Sequence, residues 1–171
     1  MRNKMIMLIS VLFLMSLVGC ENIDENEDRE VSPNFSLPVT FGDGTKGEYL
    51  LIGEEGKVGF LVGSGKTGEA VEEKFIANKA SKYMWHFLGE IDRISGDFKV
   101  VGIDKEGKEH PVLLSGNDKV WQYSNGSISP NNGADSHIPS NMVFPTSGLW
   151  KLEIYFNDKI FEEIVINVEE S

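Results

Sequence analysis

Short apolar runs separated by turn residues fill most of the chain. The clearest run is 149–156, where the even positions are all apolar and the odd positions include Lys151 and Glu153. Alternation with period two predicts a strand with one buried face. After an Asn-Asp-Lys turn, the run 160–168 predicts a strand that returns beside the first. Glu162 interrupts the alternation of this second run and therefore predicts a bulge or an edge position.

The same pattern predicts a series of shorter strands before this C-terminal pair. They are 35–41, 48–52, 57–62, 83–88, 97–104, 109–114, 120–123 and 142–144. Strands at such short spacing, with Gly, Asn, Asp and Ser between them, indicate an all-β fold, a β-sandwich of about eight or nine strands. A closed β-barrel is the alternative. A helix is conceivable only in Thr67–Ala80, although this stretch has no clean apolar stripe.

The first twenty residues follow a different pattern. Two basic residues precede an uncharged, mainly apolar run of 14 residues, which is short of the ~20 needed to span a bilayer. The run ends in Leu-Val-Gly-Cys at 17–20, which resembles the lipobox of bacterial lipoproteins. The arrangement predicts a signal peptide over 1–19, cleavage between Gly19 and Cys20, and a lipid-modified Cys20. Two acyl chains on Cys20 would anchor the protein stably at the extracytoplasmic face of the cell membrane.

Acidic residues dominate the remainder of the chain. The formal net charge is −11; without the two basic residues near the start, 14 basic face 27 acidic side chains. Such a surface repels nucleic acid, so a nucleic-acid partner is not expected. The segment 20–33 is acidic and nearly free of large apolar groups, which predicts a flexible tether. The folded domain is then 34–171, and the single cysteine excludes an internal disulfide.

Several segments resemble a known group of sequences. They are Phe75-Ile76-Ala77-Asn78-Lys79, Lys82-Tyr83-Met84-Trp85-His86-Phe87, Asn131-Asn132-Gly133-Ala134-Asp135-Ser136-His137-Ile138-Pro139 and Ser147-Gly148-Leu149-Trp150-Lys151-Leu152. They are similar to a family of small lipoproteins and domains of unknown function from spore-forming Gram-positive bacteria. The resemblance covers most of 34–168 and implies an immunoglobulin-like antiparallel β-sandwich. It implies no activity and no catalytic residues.

A few histidines and methionines carry the only metal-binding chemistry that the sequence offers. Asp135 and His137 are two residues apart, and His86 lies in a predicted strand. Together they are candidate ligands for copper, zinc or calcium. Met84 and Met142 could join the histidines in a copper site, because thioethers and imidazoles suit that metal. The alternative is that these are ordinary strand and surface residues.

The segment 124–139 is the candidate for a functional loop. It is longer than most connections and contains Asn131, Asn132 and Asp135, whose oxygens could contact a ligand. The alternative is a structured cover over one end of the sandwich.

The sequence shows no nucleophile-and-base arrangement, so no enzymatic activity and no cofactor are expected. The leading hypothesis is a non-enzymatic binding module on the membrane, with a protein or a cell-envelope component as its partner. A metal-binding envelope protein and a protease inhibitor that acts through a projecting loop are the alternatives.

Overall fold

Strands make up most of the described part of the chain. The computed structural model describes residues 29–89, 91–124, 129–131 and 133–171, and these residues contain no α-helix, only a 3₁₀ turn at Ile91–Arg93. The strands in this part of the chain are β1 (Asn34–Thr40), β2 (Lys46–Glu54), β3 (Val58–Gly65), β4 (Phe75–Ile76), β5 (Ser81–Phe87), β6 (Phe98–Ile103), β7 (Glu109–Pro111), β8 (Leu113–Ser115), β9 (Asp118–Val120), β10 (Gln122–Tyr123), β11 (Ser129–Asn131), β12 (Ala134–Met142), β13 (Gly148–Phe156) and β14 (Lys159–Glu169).

Two sheets pack face to face as a β-sandwich. The larger sheet has the order β1-β2-β3-β5-β12-β8-β9, with β11 also paired to β12. The smaller sheet has the order β10-β6-β13-β14-β4, with β7 also paired to β6. All pairings are antiparallel within the described residues except that of β4 with β14, which is parallel. The predicted all-β, immunoglobulin-like sandwich is confirmed, although the described residues contain more strands than the eight or nine expected.

Aromatic rings fill the space between the sheets. Trp85 on β5 and Trp150 on β13 are both fully buried there. Phe60 lies 4.3 Å from Trp85 between ring centroids, and Phe98 lies 5.7 Å from the same ring. Aromatic pairs at such distances add to the stability gained from burial. The alternation predicted for 149–156 is confirmed, because the even positions of β13 are the buried ones.

At two places where the sequence predicts one continuous strand, the chain instead crosses from one sheet to the other. The predicted strand 109–114 is divided at Val112, so that β7 belongs to the smaller sheet and β8 to the larger. The predicted strand 120–123 is divided at Trp121 in the same way. Val112 is fully buried, so the crossing places an apolar side chain in the core. The sequence pattern does not reveal such crossings, because it reports the polarity of a stretch and not the sheet with which each half pairs.

The helix considered for Thr67–Ala80 is wrong. This segment consists of turns and irregular backbone, and only Phe75–Ile76 pairs as a strand. Its backbone hydrogen-bonds to both sheets: the Glu73 amide donates to the Val62 carbonyl at 2.6 Å and the Ala77 amide to the Glu169 carbonyl at 2.9 Å. These sheet partners satisfy the groups that a helix would have paired internally.

A bulge occurs beside Glu162, as its break in the alternation predicted. Ile154 faces Glu162 and Tyr155 faces Ile160, so Phe161 is the extra residue of β14. The bulge turns the Phe161 ring inward, where its centroid lies 5.6 Å from those of both Phe87 and Phe156. The guanidinium of Arg93 lies 5.1 Å from the Phe161 ring centroid and covers it.

A second apolar cluster covers the outer face of the larger sheet. We call it the outer cluster: Phe35, Leu37, Val39, Tyr49 and Leu51. Phe35 pairs with Leu51 and Leu37 with Tyr49 across β1 and β2, so their side chains share a face. Leu51 is fully buried and Val39 is 6% exposed, yet neither belongs to the core between the sheets.

Gly59 shows how closely the outer cluster approaches the sheet. A Cβ on Gly59 would lie 2.5 Å from Leu51 and 2.7 Å from Phe35. Phe35 lies on β1 and Gly59 on β3, which are separated by β2. At the other side, Leu37 lies 3.6 Å from the position that a Cβ on Gly133 would take. The larger sheet therefore curls over its own outer face.

Residues at the end of the predicted tether contact the domain. The Arg29 guanidinium donates to the Asp104 carbonyl at 2.8 Å. Ser32 exchanges two hydrogen bonds of 2.9 Å with the backbone of Val165, and the Gly53 amide donates to the Pro33 carbonyl at 3.0 Å. The predicted signal peptide 1–19 and the lipidation site lie outside the described residues.

Candidate functional site

His86 is a fully buried histidine on the outer face of the larger sheet. It lies on β5 with its neighbours Trp85 and Phe87 directed to the core, so its own ring is directed to the outer cluster. The Tyr49 ring meets it edge-on at 5.5 Å between centroids. Neither ring nitrogen forms a hydrogen bond of normal geometry with a described residue. The register places Gly59 directly beside His86, and the absence of a side chain there leaves room for the covering residues.

Burial lowers the pKa of His86 from 6.5 to about 4. The nearby His137 acts in the same direction, and a backbone contact with Met84 offsets only part of the effect. Because a protonated imidazole would have to leave water for an apolar surrounding, the neutral ring is favoured. His86 is therefore neutral at pH 7 and has lone-pair electrons available on one ring nitrogen.

His137 lies directly beside His86 on the neighbouring strand. The two residues are partners in the β5–β12 register, so their side chains share the outer face. The His137 Nδ1 lies 2.6 Å from the Ser129 carbonyl oxygen. Since a carbonyl only accepts, Nδ1 carries the proton and Nε2 of the neutral ring carries the lone pair.

Asp135 is directed along the same face but is engaged elsewhere. Its carboxylate accepts a hydrogen bond of 2.7 Å from the Gly89 amide. Within the described residues no group of three or more His, Cys, Asp and Glu side chains could hold a metal ion. The structure thus brings together two of the three predicted ligands, His86 and His137, and not all three.

The two methionines considered for a copper site lie on opposite faces. Met142 is fully buried in the core between the sheets, so its inclusion with the histidines is wrong. Met84 precedes His86 by two residues on β5 and therefore shares the outer face. Its register partner is Pro139, two residues beyond His137. Met84 is only partly buried.

The long loop predicted over 124–139 is largely wrong. Asn131 ends β11 and Asp135 lies within β12, whereas Asn132 lies outside the described residues. β12 alternates strictly between buried and less buried positions, but serines occupy some of its inward positions. Ser140 is one of them and accepts a hydrogen bond of 3.0 Å from the Trp85 indole. Because the inward face is partly polar, alternation of apolar and polar residues does not predict this strand.

The third histidine, His110, belongs to a turn and not to the His86 region. Its Nε2 lies 2.7 Å from the Asp104 carboxylate. The other carboxylate oxygen accepts from the Glu106 and Lys108 amides at 2.9 and 3.0 Å. Burial opposes ionisation of Asp104, but these hydrogen bonds, with that of His110 foremost, keep its pKa below the ordinary value of 3.8. The arrangement stabilises the turn between β6 and β7.

Sequence reasoning missed a groove beside the start of β5. Two cavities, of about 310 and 390 Å³, both include Ser81 and Lys82 in their walls and so adjoin. Lys79 lines the first cavity and Lys119 the second. We call this feature the lysine groove. Asn117 and Asn141 add amide side chains to the second cavity, and Glu73 adds one carboxylate to the first.

The lysine groove carries positive charge on an acidic protein. The ammonium groups of Lys79, Lys82 and Lys119 are exposed and form no ion pair with another described residue. A fourth lysine of the first cavity, Lys74, pairs with Glu169 at 2.6 Å. The lining of the second cavity contains no acidic residue. These lysines come from β5, from β9 and from the turn before β5, so their positions in the sequence do not predict that they line one groove.

Two of the three tryptophans are core residues. Trp85 and Trp150 are fully buried, whereas Trp121 is 41% exposed at the second crossing between the sheets. Trp121 does not line the lysine groove. In the described part of the chain we also find no helix of the length and apolarity that a bilayer crossing requires.

The fold and these sites define a small β-sandwich domain with lysine and histidine features on the larger sheet. Residues 30–166 match a family described as a domain of unknown function, DUF4871, and the chain belongs to that family. The resemblance drawn from the sequence segments is thereby confirmed. A comparison with curated proteins finds no match.

A solved structure shares the fold. It is the crystal structure of a "putative lipoprotein" from Bacillus anthracis, which is 24% identical in sequence and superposes with a TM-score of 0.58. The match covers 82% of this chain and 86% of that chain. At this identity the comparison supports the sandwich fold of the present chain.

Proposed function

We propose that this protein is a lipid-anchored, non-enzymatic binding module at the extracytoplasmic face of the membrane. Its partner in this proposal is an anionic cell-envelope polymer joined by phosphodiester links, held in the lysine groove. The observation that carries the proposal is a set of three lysines, without an ion pair among the described residues, on a domain of strongly negative net charge. The Leu-Val-Gly-Cys sequence at 17–20 supports the anchor, and so does the similarity to a Bacillus anthracis protein described as a lipoprotein.

The charge distribution favours a phosphate-bearing ligand. Lysine acts as a point charge toward phosphate, and the serine and asparagine side chains of the lysine groove add neutral hydrogen-bond donors. Two adjoining cavities with a lysine on each side and Lys82 between them suit a ligand with repeated charges better than a single small anion. The acidic remainder of the surface repels polyanions, so binding is confined to this groove.

Charge reversal of the groove tests this function. We expect the triple variant Lys79→Glu, Lys82→Glu, Lys119→Glu to lose at least about tenfold in affinity for poly(glycerol phosphate), or ~1.4 kcal/mol. The side chains are exposed, so the fold should survive. Isothermal titration calorimetry of the full chain in a neutral detergent at two salt concentrations measures the effect, and affinity should fall as salt rises.

A matched variant separates the groove from overall charge. Lys105→Glu, Lys108→Glu, Lys159→Glu makes the same change in net charge at exposed positions elsewhere and should bind as the unchanged protein does. Equal losses in both triple variants would contradict a groove, and so would absence of binding to the polymer. Binding of single-stranded DNA with the same affinity would contradict selectivity for an envelope polymer.

A further inference from the structure

Three side chains with sulfur or nitrogen donor atoms project from the same outer face of the larger sheet. His86 and His137 are direct cross-strand partners, and such partners have Cβ atoms ~5 Å apart. Met84 lies on the same face two residues before His86 and diagonally from His137. These three residues form a triangle that the sequence distributes over two strands.

The buried state of His86 is unexplained by packing alone. A buried polar group without a hydrogen bond is unfavourable by roughly 1–3 kcal/mol, and here both ring nitrogens lack such a bond to a described residue. An apolar residue at position 86 would pack in the outer cluster around Tyr49 and Leu51 without this free-energy penalty. A group that binds to the imidazole nitrogen removes the penalty, and the neutral ring is ready to accept one.

His137 is oriented in the way that metal-bound histidines are. Its Nδ1–H donates to the Ser129 carbonyl, which fixes the ring and leaves the Nε2 lone pair for another partner. Histidine ligands of metals almost always donate their second ring N–H to such an acceptor. The ring is only partly buried, so an ion from solvent has access to it.

We propose that His86, His137 and Met84 form a binding site for Cu(I). Two neutral imidazoles and a thioether form a soft, uncharged ligand set, which suits Cu(I). A structural zinc site requires four ligands, and hard cations prefer carboxylates. Asp135, the carboxylate that the sequence predicts as a metal ligand, instead accepts a hydrogen bond from the Gly89 amide. The ion enters as Cu(I) and is held without any change in oxidation state.

Ring-nitrogen NMR of the full chain tests the site directly. The chain carries three histidines, so ¹⁵N-histidine labelling gives three ring systems. Cys20→Ser is introduced throughout, because a free thiol would itself bind Cu(I). On anaerobic titration with Cu(I) in detergent micelles, the ¹⁵N signals of His86 and His137 should shift and saturate at one equivalent. Those of His110 serve as the internal control and should not move.

Affinity measurements with a Cu(I)-selective chromophoric chelator identify the ligands. His137→Gln should weaken binding at this site at least tenfold and Met84→Leu several-fold. Met142→Leu is the matched control, because Met142 lies in the core between the sheets, and it should leave the affinity unchanged. His86→Ala risks the fold and is not needed for the conclusion.

Three outcomes would overturn this site: no ring shift with Cu(I), equal shifts at His110, or equal affinities in the His137→Gln and Met142→Leu variants. Zinc that shifts the same two rings with higher affinity would also reject Cu(I) as the ligand. The lysine-groove variants should bind Cu(I) normally, so this inference and the proposed polymer-binding function fail or succeed separately.

Discussion

Single residues decide how closely the outer cluster covers His86. Gly59 sits beside His86 in the register and under Leu51 and Phe35. Any larger residue at position 59 would collide with both side chains, so the absence of a side chain on Gly59 allows the sheet to curl. Polar residues are equally decisive inside the sandwich, where Ser140 accepts the Trp85 indole hydrogen bond. Both residues have a structural role that their type alone would not suggest.

We expect Gly59→Ala to destabilise the protein by roughly 1–3 kcal/mol, because overpacking moves well-packed neighbours. The added Cβ would lie 2.5 Å from Leu51. Urea unfolding followed by tryptophan fluorescence gives the free energy of unfolding. Gly42→Ala is the control, since nothing lies within 4 Å of a Cβ there, and its effect should be small. A Gly59→Ala protein as stable as Gly42→Ala would mean that the outer cluster is loosely packed.

Elements owe their positions to hydrogen bonds that cross between strands and turns. The parallel pairing of β4 with β14 holds the segment after β3 against the smaller sheet. The Asp104 carboxylate holds the turn between β6 and β7 through the Glu106 and Lys108 amides and His110. The first pairing joins segments that are distant in sequence, and the second set of hydrogen bonds joins residues that are close in sequence.

The turn at Asp104 predicts a particular dependence of stability on pH. The pKa of Asp104 is lowered in the folded protein, so its ionised form contributes stability above the ordinary value of 3.8. That contribution is lost as the pH falls through the lower, folded-state pKa. We expect Asp104→Asn to be less stable than the unchanged protein at pH 7 and the difference to narrow as the pH falls below 3.8.

Urea midpoints at pH 7, 5, 4 and 3 measure this difference between the two proteins. Asp118→Asn is a suitable control, because Asp118 is exposed. A stability difference between the Asp104→Asn and unchanged proteins that stays constant down to pH 3 would show that ionisation of Asp104 contributes nothing to the turn.

The whole molecule combines an acidic domain with a proposed membrane anchor. Net negative charge keeps the domain away from anionic headgroups and polymers in general, while the lysine groove offers a confined positive surface. A lipid on Cys20 would keep the lysine groove close to the membrane. Its distance from the membrane could not exceed the length of the segment 21–28 plus that of the domain. The anchor thus matters to function because it sets which polymers the groove can reach.

Labelled palmitate tests the anchor in growing bacteria. We expect the label to enter the full chain and to be absent from Cys20→Ser, because in the proposed modification the Cys20 sulfur carries the acylated glycerol as a thioether. Gly19→Ala, which keeps a small residue before the cysteine, should still be labelled. Equal labelling of the unchanged protein and Cys20→Ser would contradict lipidation at this position.

Much of the fold follows from alternation along single strands. The C-terminal pair and the bulge beside Glu162 are visible in the sequence because one face of each strand meets a continuous apolar core. β12 lacks this signal because serines occupy part of its inward face, where Ser140 accepts a hydrogen bond from the Trp85 indole. Alternation reports the polarity of a face and fails where a buried face is polar.

By itself the sequence determined the sandwich, its apolar core and the character of the first twenty residues, because these depend on local periodicity and composition. Only the tertiary structure decided that the larger sheet curls over His86, that His137 and Met84 join it on one face, and that Lys79, Lys82 and Lys119 line one groove. The physical reason is that side chains from different strands become neighbours through register and sheet curvature. Both depend on pairings between distant segments that no single segment encodes.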